Sequence, residues 1–527
     1  MGTVSESRVL VVMTGGTICM QPSPDGLVPM TGFLRNAMAP RPSFNDTTSP
    51  EVPLHAYKNG VKVDIGSLRT PLSAYSRHIR YGALEFDPLL DSSSISSTGW
   101  TEIALAVKEN YHLFDGFVVL HGTDSLAYTA SALSFIMSDL GKPVVLTGSQ
   151  ASIFALQSDA VDNLLGSLIV AGTFVIPEVC VFFHHTLYRG NRTTKVSASA
   201  FEAFASPNCA PLAQVTSLGV NVDWASVRRP TAIAEFQVTT CLDTAHVACL
   251  RIFPGIKPEM VDSVLRVPDL RGLILETFGM GNAPSGVDGS LTRVIREGVE
   301  RGIVMVNVSQ CSNGFVSPLY APATALGRAG VVFGHDLTTE AALTKLSYLL
   351  GLLPGRDRAT CAAVAARMAH SLRGEMTELA RPSFSHPAGA VAAGGELTPA
   401  ETAFAALGYA IRDGDVTRVR AMLEADARHD LLKRADYAGN TAVHLAAVCA
   451  PPEGRGTPQQ PQQPQQPQGQ PGGAGVAVLR ELLTRGASVH VRNRANNTPL
   501  YLAEKMGHAA VVALLKEAGA HLWETEA

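Results

Sequence analysis

The sequence predicts an α/β fold: a larger and a smaller α/β domain in succession, followed by an all-α module. Three observations predict it. Short, continuous apolar runs recur between residues 9 and 308 and alternate with helical patterns. A mixed stretch at 207–245, containing Pro207, Pro211 and Pro230, interrupts that rhythm. Past residue 400 the strand-like runs give way to repeated helical segments.

The expected strands are Val9–Met13, Gly116–Leu120, Pro143–Leu146, Val179–Phe183, Val247–Ile252, Gly272–Glu276 and Ile303–Val308. Most are apolar throughout rather than alternating, the pattern of strands in a parallel sheet covered on both faces. Helices are expected at Glu102–Leu113, Ala127–Ser138, Asp159–Val170, Glu259–Leu265 and Leu291–Gly298. The larger domain then occupies 8–206, a connection 207–245, the smaller domain 246–355, and a helical segment with a Pro/Gly/Ala-rich linker 356–400. Residues 40–83, rich in Pro, Ser and Arg, read as an irregular insertion, either mobile or decorative.

Bulk properties narrow the function. The chain has 527 residues, room for about three domains, with 46% hydrophobic and 17% charged residues. A formal net charge of −4 and the lack of a basic face give nucleic-acid binding no support. The apolar run after Arg8 ends at Gly15-Gly16, too short for a secretory segment. Glu6 stands where a myristoylation signal needs Ser or Thr. No apolar stretch is long and charge-free enough to span a bilayer. Eight scattered cysteines, without a CxxC, point to free thiols in a reducing, cytoplasmic setting and against a zinc site.

In the C-terminal part, Thr441-Ala442-Val443-His444-Leu445-Ala446 and Thr498-Pro499-Leu500-Tyr501-Leu502-Ala503 resemble the TPLHxA signature of ankyrin repeats. They lie 57 residues apart. The excess over a repeat of about 33 is taken up by a Pro/Gln/Gly-rich insert at 451–475, which cannot bury a core and is expected to be disordered. Ankyrin repeats at 401–527 imply a protein partner, whose identity the sequence does not carry.

Four motifs carry candidate chemistry. Met13-Thr14-Gly15-Gly16-Thr17-Ile18 directly follows the first strand. Its glycines let the backbone turn tightly, and Thr17 falls at a strand's carboxyl end, where open α/β sheets bind ligands. A phosphate loop or a plain turn would read similarly. Leu120-His121-Gly122-Thr123-Asp124-Ser125 follows another strand, and its Thr and Asp suit a helix cap as well as a site. Tyr188-Arg189-Gly190-Asn191-Arg192-Thr193-Thr194-Lys195 is either a solvated basic turn or a cation held near the others. Phe86-Asp87-Pro88-Leu89-Leu90-Asp91-Ser92-Ser93-Ser94 places small hydroxyls after a short strand, and reads equally as a capped turn.

Together and in this order, these motifs resemble the bacterial-type asparaginase family, its cytosolic type I branch most closely. The likeness covers roughly the first two-thirds of the chain. It takes in Gly116–Phe135, Gly141–Gln150, Arg189–Lys195 and Asp336–Leu350. With the ankyrin segment included, the chain resembles two-part vertebrate members, which carry a lysophospholipase name. The resemblance implies a two-domain asparaginase fold, a homotetramer and no cofactor or metal. It implies Thr17 as nucleophile, Thr123, Asp124 and Lys195 as the Thr-Asp-Lys set, and Asp91, Ser92 and Ser93, with Thr123 and Asp124, as the holders of L-asparagine.

These residue types suit that chemistry. A threonine hydroxyl attacks only when a base takes its proton, and a lysine accepts one only as the neutral amine. Attack on the side-chain amide gives an oxyanion for backbone N–H groups to hold, then a β-aspartyl ester that water hydrolyses. One position departs from the family. Leu27 stands where a tyrosine hydroxyl is expected, and Tyr320 is the candidate substitute. A serine lipid hydrolase is the rival reading, but no GxSxG pentapeptide occurs. A non-catalytic ankyrin scaffold is the third, and glutaminase activity a variant of the first, since one methylene discriminates by only about 1–3 kcal/mol.

Overall fold

The computed structural model describes residues 5–24, 26–230, 233–317, 321–377, 399–426, 430–449 and 473–520. Contacts divide the chain into two compact units: Met1–Arg228 with Phe236–Glu378, and Arg229–Glu235 with Leu379–Ala527.

The first unit is built on a nine-stranded sheet. In chain order its strands are β1 (Ser5–Gly15), β2 (Ser67–Arg69), β3 (Arg77–Leu90), β4 (Gly116–Leu120), β5 (Val144–Thr147), β6 (Val179–Phe183), β7 (Thr186–Arg189), β8 (Ala213–Thr216) and β9 (Gly219–Val222). They lie in the order β9-β8-β7-β6-β5-β4-β1-β3-β2. β3, β1, β4, β5 and β6 run parallel, and antiparallel strands flank them on both sides. Along β1, Leu10 and Val12 face one core while Val9, Val11 and Met13 face another. Both faces are therefore dry, and the strand is apolar at every position from 9 to 13. Helices Ser97–Asn110 and Leu126–Ile136 cover the first face; helix Ala160–Thr173 and residues 33–44 cover the second.

A second, four-stranded parallel sheet follows: β10 (Val247–Arg251), β11 (Gly272–Thr277), β12 (Val304–Ser309) and β13 (Val332–Phe333). Helix Thr339–Leu352 joins the two sheets, since its Ala341, Leu346 and Leu350 share one apolar core with Leu133 and with Ile274 and Val306. Thr338 caps it, its hydroxyl accepting the Ala341 N–H at 3.1 Å.

Two stretches differ from the sequence reading. Residues 40–83 are not irregular throughout: they hold a hairpin, Leu54–Lys58 with Val61–Ile65, then β2 and the start of the 14-residue β3. The full length of β3 escapes pattern reading because Arg77, Arg80 and Glu85 break its apolar run. Arg80 is nevertheless buried, satisfied by Glu6 at 2.8 Å and by Ser49 and Ser67. Residues 207–245 are more than a connection, for β8 and β9 extend the first sheet at its antiparallel edge.

The second unit is helical, with Pro399–Arg412, Val416–Ala425, Asp430–Lys433, Ala442–Cys449, Gly473–Thr484, Pro499–Met506 and Ala509–Glu517. One core, including Leu407, Val419, Val443, Leu479, Leu500 and Leu515, holds them. The turns before the two signature helices lie side by side. Arg494 N–H donates to Ala438 O at 2.9 Å, and Asn493 Nδ2 to Asn440 Oδ1 at 2.8 Å. Buried His444 spans them, its Nδ1 2.9 Å from the Thr441 hydroxyl and its Nε2 3.1 Å from Asn497 O. Residues 378–398 of the segment assigned to the helix and linker, residues 451–472 of the Pro/Gln-rich insert, and Tyr320 lie outside the described residues. Among the described residues, no helix is long and apolar enough to cross a membrane, and no cluster of three or more His, Cys, Asp or Glu is placed to hold a metal.

Candidate active site

The parallel strands all end on one edge of the first sheet. From β1 the chain moves outward to β3, then returns to β4 on the opposite side of β1. The loops leaving β1 and β4 thus part at a topological switch point, where open α/β sheets take their ligands.

Glycine permits the loops to meet there. Gly16 has φ +88°, and a Cβ on it would lie 2.4 Å from Gly122 N and 2.5 Å from Gly122 Cα. A Cβ on Gly122 would lie 2.4 Å from Ser92 Oγ. Backbone therefore packs on backbone, and Thr17, Thr123 and Ser92 are drawn to one spot from three distant parts of the sequence. Thr17 begins a short 3₁₀ turn, Thr17–Cys19. It is partly exposed, and among the described residues its hydroxyl has no hydrogen-bond partner.

The cation arrives from the sheet's other flank. After β7, a 3₁₀ turn at Gly190–Arg192 leads to strand Thr194–Lys195. Lys195 Nζ donates to Thr123 Oγ1 at 2.9 Å and to Asp124 Oδ1 at 2.8 Å. The Thr123 hydroxyl donates onward to Gln150 Oε1 at 3.2 Å. Thr123 is buried, whereas the Asp124 side chain is 68% exposed. Asp91 is exposed and accepts the Ser93 N–H at 3.0 Å; Ser92 is buried, its carbonyl taking the Ser125 hydroxyl at 2.5 Å. The arrangement sets a charged amine against a buried threonine hydroxyl, with a second threonine hydroxyl in the neighbouring loop and open carboxylates at the rim.

A relay behind the site fixes the β4 loop. Trp100 Nε1–H donates to Thr129 Oγ1 at 2.9 Å, and the Thr129 hydroxyl donates to His121 Nε2 at 3.0 Å. His121 Nδ1 then carries the proton and donates to Gly122 O at 2.7 Å. Burial pushes this imidazole down to about 4 from an ordinary 6.5, although the Gly122 carbonyl opposes the shift. The unfolded chain consequently binds more protons between those limits, so the contribution of His121 to stability is complete above pH 6.5 and declines as pH falls towards about 4. Denaturant midpoints taken across that window should fall less steeply in His121→Gln than in the unaltered protein. Identical slopes would refute the assignment.

All the sequence-selected residues except Tyr320 can be located. Asp91, Ser92, Ser93, Thr123, Asp124 and Lys195 lie around the contact of Gly16 with Gly122, and Thr17 adjoins it. Leu27 lies on the hairpin Met20–Ser23 with Gly26–Pro29, opposite Pro22, and is 50% exposed. Sequence reasoning passed over Gln150 and His121. Gln150 also donates to Ala200 O at 3.2 Å, and its own N–H is held by Asp159 at 3.1 Å. It follows β5 at the same sheet edge, so the strand-end rule that selected Thr17 would have selected it too.

Comparison with known proteins gives a consistent result. A family model described as "Asparaginase, N-terminal" matches residues 8–228, and one described as "Glutaminase/Asparaginase C-terminal domain" matches 246–363. The chain is 39% identical to the mouse 60 kDa lysophospholipase, over 84% of this chain and 77% of that one. It is 39% identical to L-asparaginase 1 of Escherichia coli K12, over 71% of this chain and 99% of that one. The crystal structure of L-asparaginase I from Vibrio cholerae O1 superposes with a TM-score of 0.58 at 37% identity, covering 71% of this chain and 100% of that one.

Proposed function

Since this chain belongs to the asparaginase family, with both family domains present in order, we propose that it hydrolyses L-asparagine to L-aspartate and ammonia through an acyl-enzyme on Thr17. One observation carries the reading: Lys195 Nζ bridges Thr123 Oγ1 and Asp124 Oδ1 where the Thr17 loop packs on Gly122. Asp91, Ser92 and Ser93, with Thr123 and Asp124, receive the substrate's α-carboxylate and α-ammonium, Asp124 taking the ammonium. The Thr17 oxygen attacks the side-chain amide carbon, its proton leaving towards a basic group of the Thr123–Lys195–Asp124 set. Backbone N–H groups of the strand-end loops hold the oxyanion. Collapse expels ammonia, which takes up a proton as the C–N bond breaks. Water set near Thr123 then adds to the ester and releases aspartate. The route needs no metal or organic cofactor.

The reading extends to the whole chain. Residues 8–206 and 246–355 serve as the two domains of a cytoplasmic, homotetrameric enzyme, and 401–527 serve as ankyrin repeats that bind a protein partner. The side-by-side turns 57 residues apart support the repeat reading. Lysophospholipase activity is a second reading, favoured by the mouse relative's name.

The deciding test is ammonia release by the purified full-length chain from L-asparagine, with L-glutamine in parallel and fatty-acid release from a lysophospholipid as a third arm. We expect release from L-asparagine, at a higher kcat/KM than from L-glutamine. Silence on both amides from a folded protein would overturn the proposal, and fatty-acid release in their place would transfer it to the lipid reading.

A further inference from the structure

Beyond residue 363, where the family match ends, the chain turns back onto the segment that carries Lys195. Arg192, three residues before that lysine, is buried. Its Nε donates to Gly374 O at 2.9 Å, its Nη1 to Asp336 Oδ2 at 2.8 Å and its Nη2 to Thr377 Oγ1 at 3.0 Å. Asn191 Nδ2 donates to Arg373 O at 3.1 Å. Thr377 closes the ring from its far side, its N–H reaching Asp336 Oδ1 at 2.8 Å and its hydroxyl Asp336 Oδ2 at 2.5 Å.

The returning segment is itself rigidly made. Glu375 accepts the N–H groups of Leu372 at 2.8 Å and Arg373 at 2.6 Å, curling residues 371–375 around one carboxylate. Lys345 Nζ meets Glu375 Oε1 at 2.7 Å and donates to Met368 O at 3.0 Å and His370 O at 2.5 Å. Neither side chain of that pair is exposed at all. Next to Lys195 in the same strand, Thr194 Oγ1 donates to Glu340 Oε1 at 2.7 Å. The chain leading to Lys195 is thus held at Asn191, Arg192 and Thr194, while Lys195 itself reaches forward to Thr123.

We infer that residues 371–377 form a strap that positions Lys195 for the proposed reaction, with Thr377 and Arg192 as positioning residues rather than groups that touch substrate. The inference rests on the amidohydrolase reading above. The strap gives Lys195 a fixed origin: the three-residue path from Arg192 to Lys195 starts from a guanidinium with five N–H donors, three of its nitrogens engaged by the strap and Asp336. Geometry of this kind governs turnover more than affinity, because a displacement of about 1 Å at a reacting group costs up to roughly 100-fold in rate.

Thr377 offers the clean test, because it is exposed and valine keeps its shape while deleting the hydroxyl that joins Arg192 to Asp336. In the full-length protein, Thr377→Val should lower kcat on L-asparagine roughly tenfold with KM within about twofold, and Thr377→Ser should restore it. Thr377→Ala gives the same readout if the valine variant does not fold. A merely structural hydroxyl would shift the thermal midpoint and leave kcat per folded molecule unchanged, and that result would overturn the inference. If the unaltered protein is silent on L-asparagine, the amidohydrolase reading itself fails, and the strap's role falls with it.

Discussion

Thr17→Ala is expected to lower ammonia release from L-asparagine by about three orders of magnitude or more, with the protein still folded. The fold should tolerate the change. Thr17 is partly exposed, its hydroxyl has no partner among the described residues, and the tight approach is made by Gly16, which the substitution leaves alone. Lys195→Met is expected to approach the same loss, because groups that act as a unit do not contribute additively. It would also leave Asp124 without the amine 2.8 Å away and Thr123 without its donor. Rapid acid quench of the unaltered enzyme should trap a β-aspartyl ester, and peptide mass spectrometry should map it to the peptide containing Thr17. An ester on Thr123 would reverse the two threonines' roles. Full activity in Thr17→Ala would remove Thr17 from the chemistry.

What could be read in the sequence divides along a physical line. The strands buried on both faces were legible because a dry sheet demands unbroken apolar runs, and Gly116–Leu120 and Val179–Phe183 fall where that rule puts them. Thr17 and Thr123 were legible because each follows such a strand at a glycine turn. The full length of β3 was not, because its Arg80 is buried by pairing with Glu6, on a strand that also lies in the first sheet but is remote in sequence. The same holds at the site. Local motifs reveal residues that sit in one loop, but not a relay such as Trp100–Thr129–His121, whose members are 29 and 8 residues apart and are joined only by packing. Nor does any local pattern announce that Arg192 meets Gly374 across 182 residues. Partnerships of long sequence separation are where pattern reading stops, and the strap meets the Lys195 segment only through them.

The largest loss of stability should come from one of those partnerships. Lys345→Met is expected to destabilise the first unit by about 3–5 kcal/mol at neutral pH, measured by urea denaturation, because it leaves the wholly buried Glu375 carboxylate without its counter-charge. Burial alone would raise the Glu375 carboxyl, but the Lys345 ammonium and the strap's N–H groups more than offset it and hold it below the ordinary carboxylate range. A depressed native value adds stability that is present above the unfolded carboxylate range and is lost as pH falls through the native one. Removing Lys345 abolishes that gain, so the deficit of the variant should be greatest near neutrality and shrink in acid, where Glu375 is protonated in both proteins. The double variant Lys345→Met with Glu375→Leu should recover much of the loss, since replacing both charges by apolar groups costs far less than stranding one. It should not recover turnover, because leucine cannot accept the Leu372 and Arg373 N–H groups that curl the strap. A single variant within about 1 kcal/mol of the unaltered protein would mean that Glu375 is neutral in the fold and that the pair is not an ion pair. A double variant with both stability and turnover restored would separate the strap from Lys195 altogether.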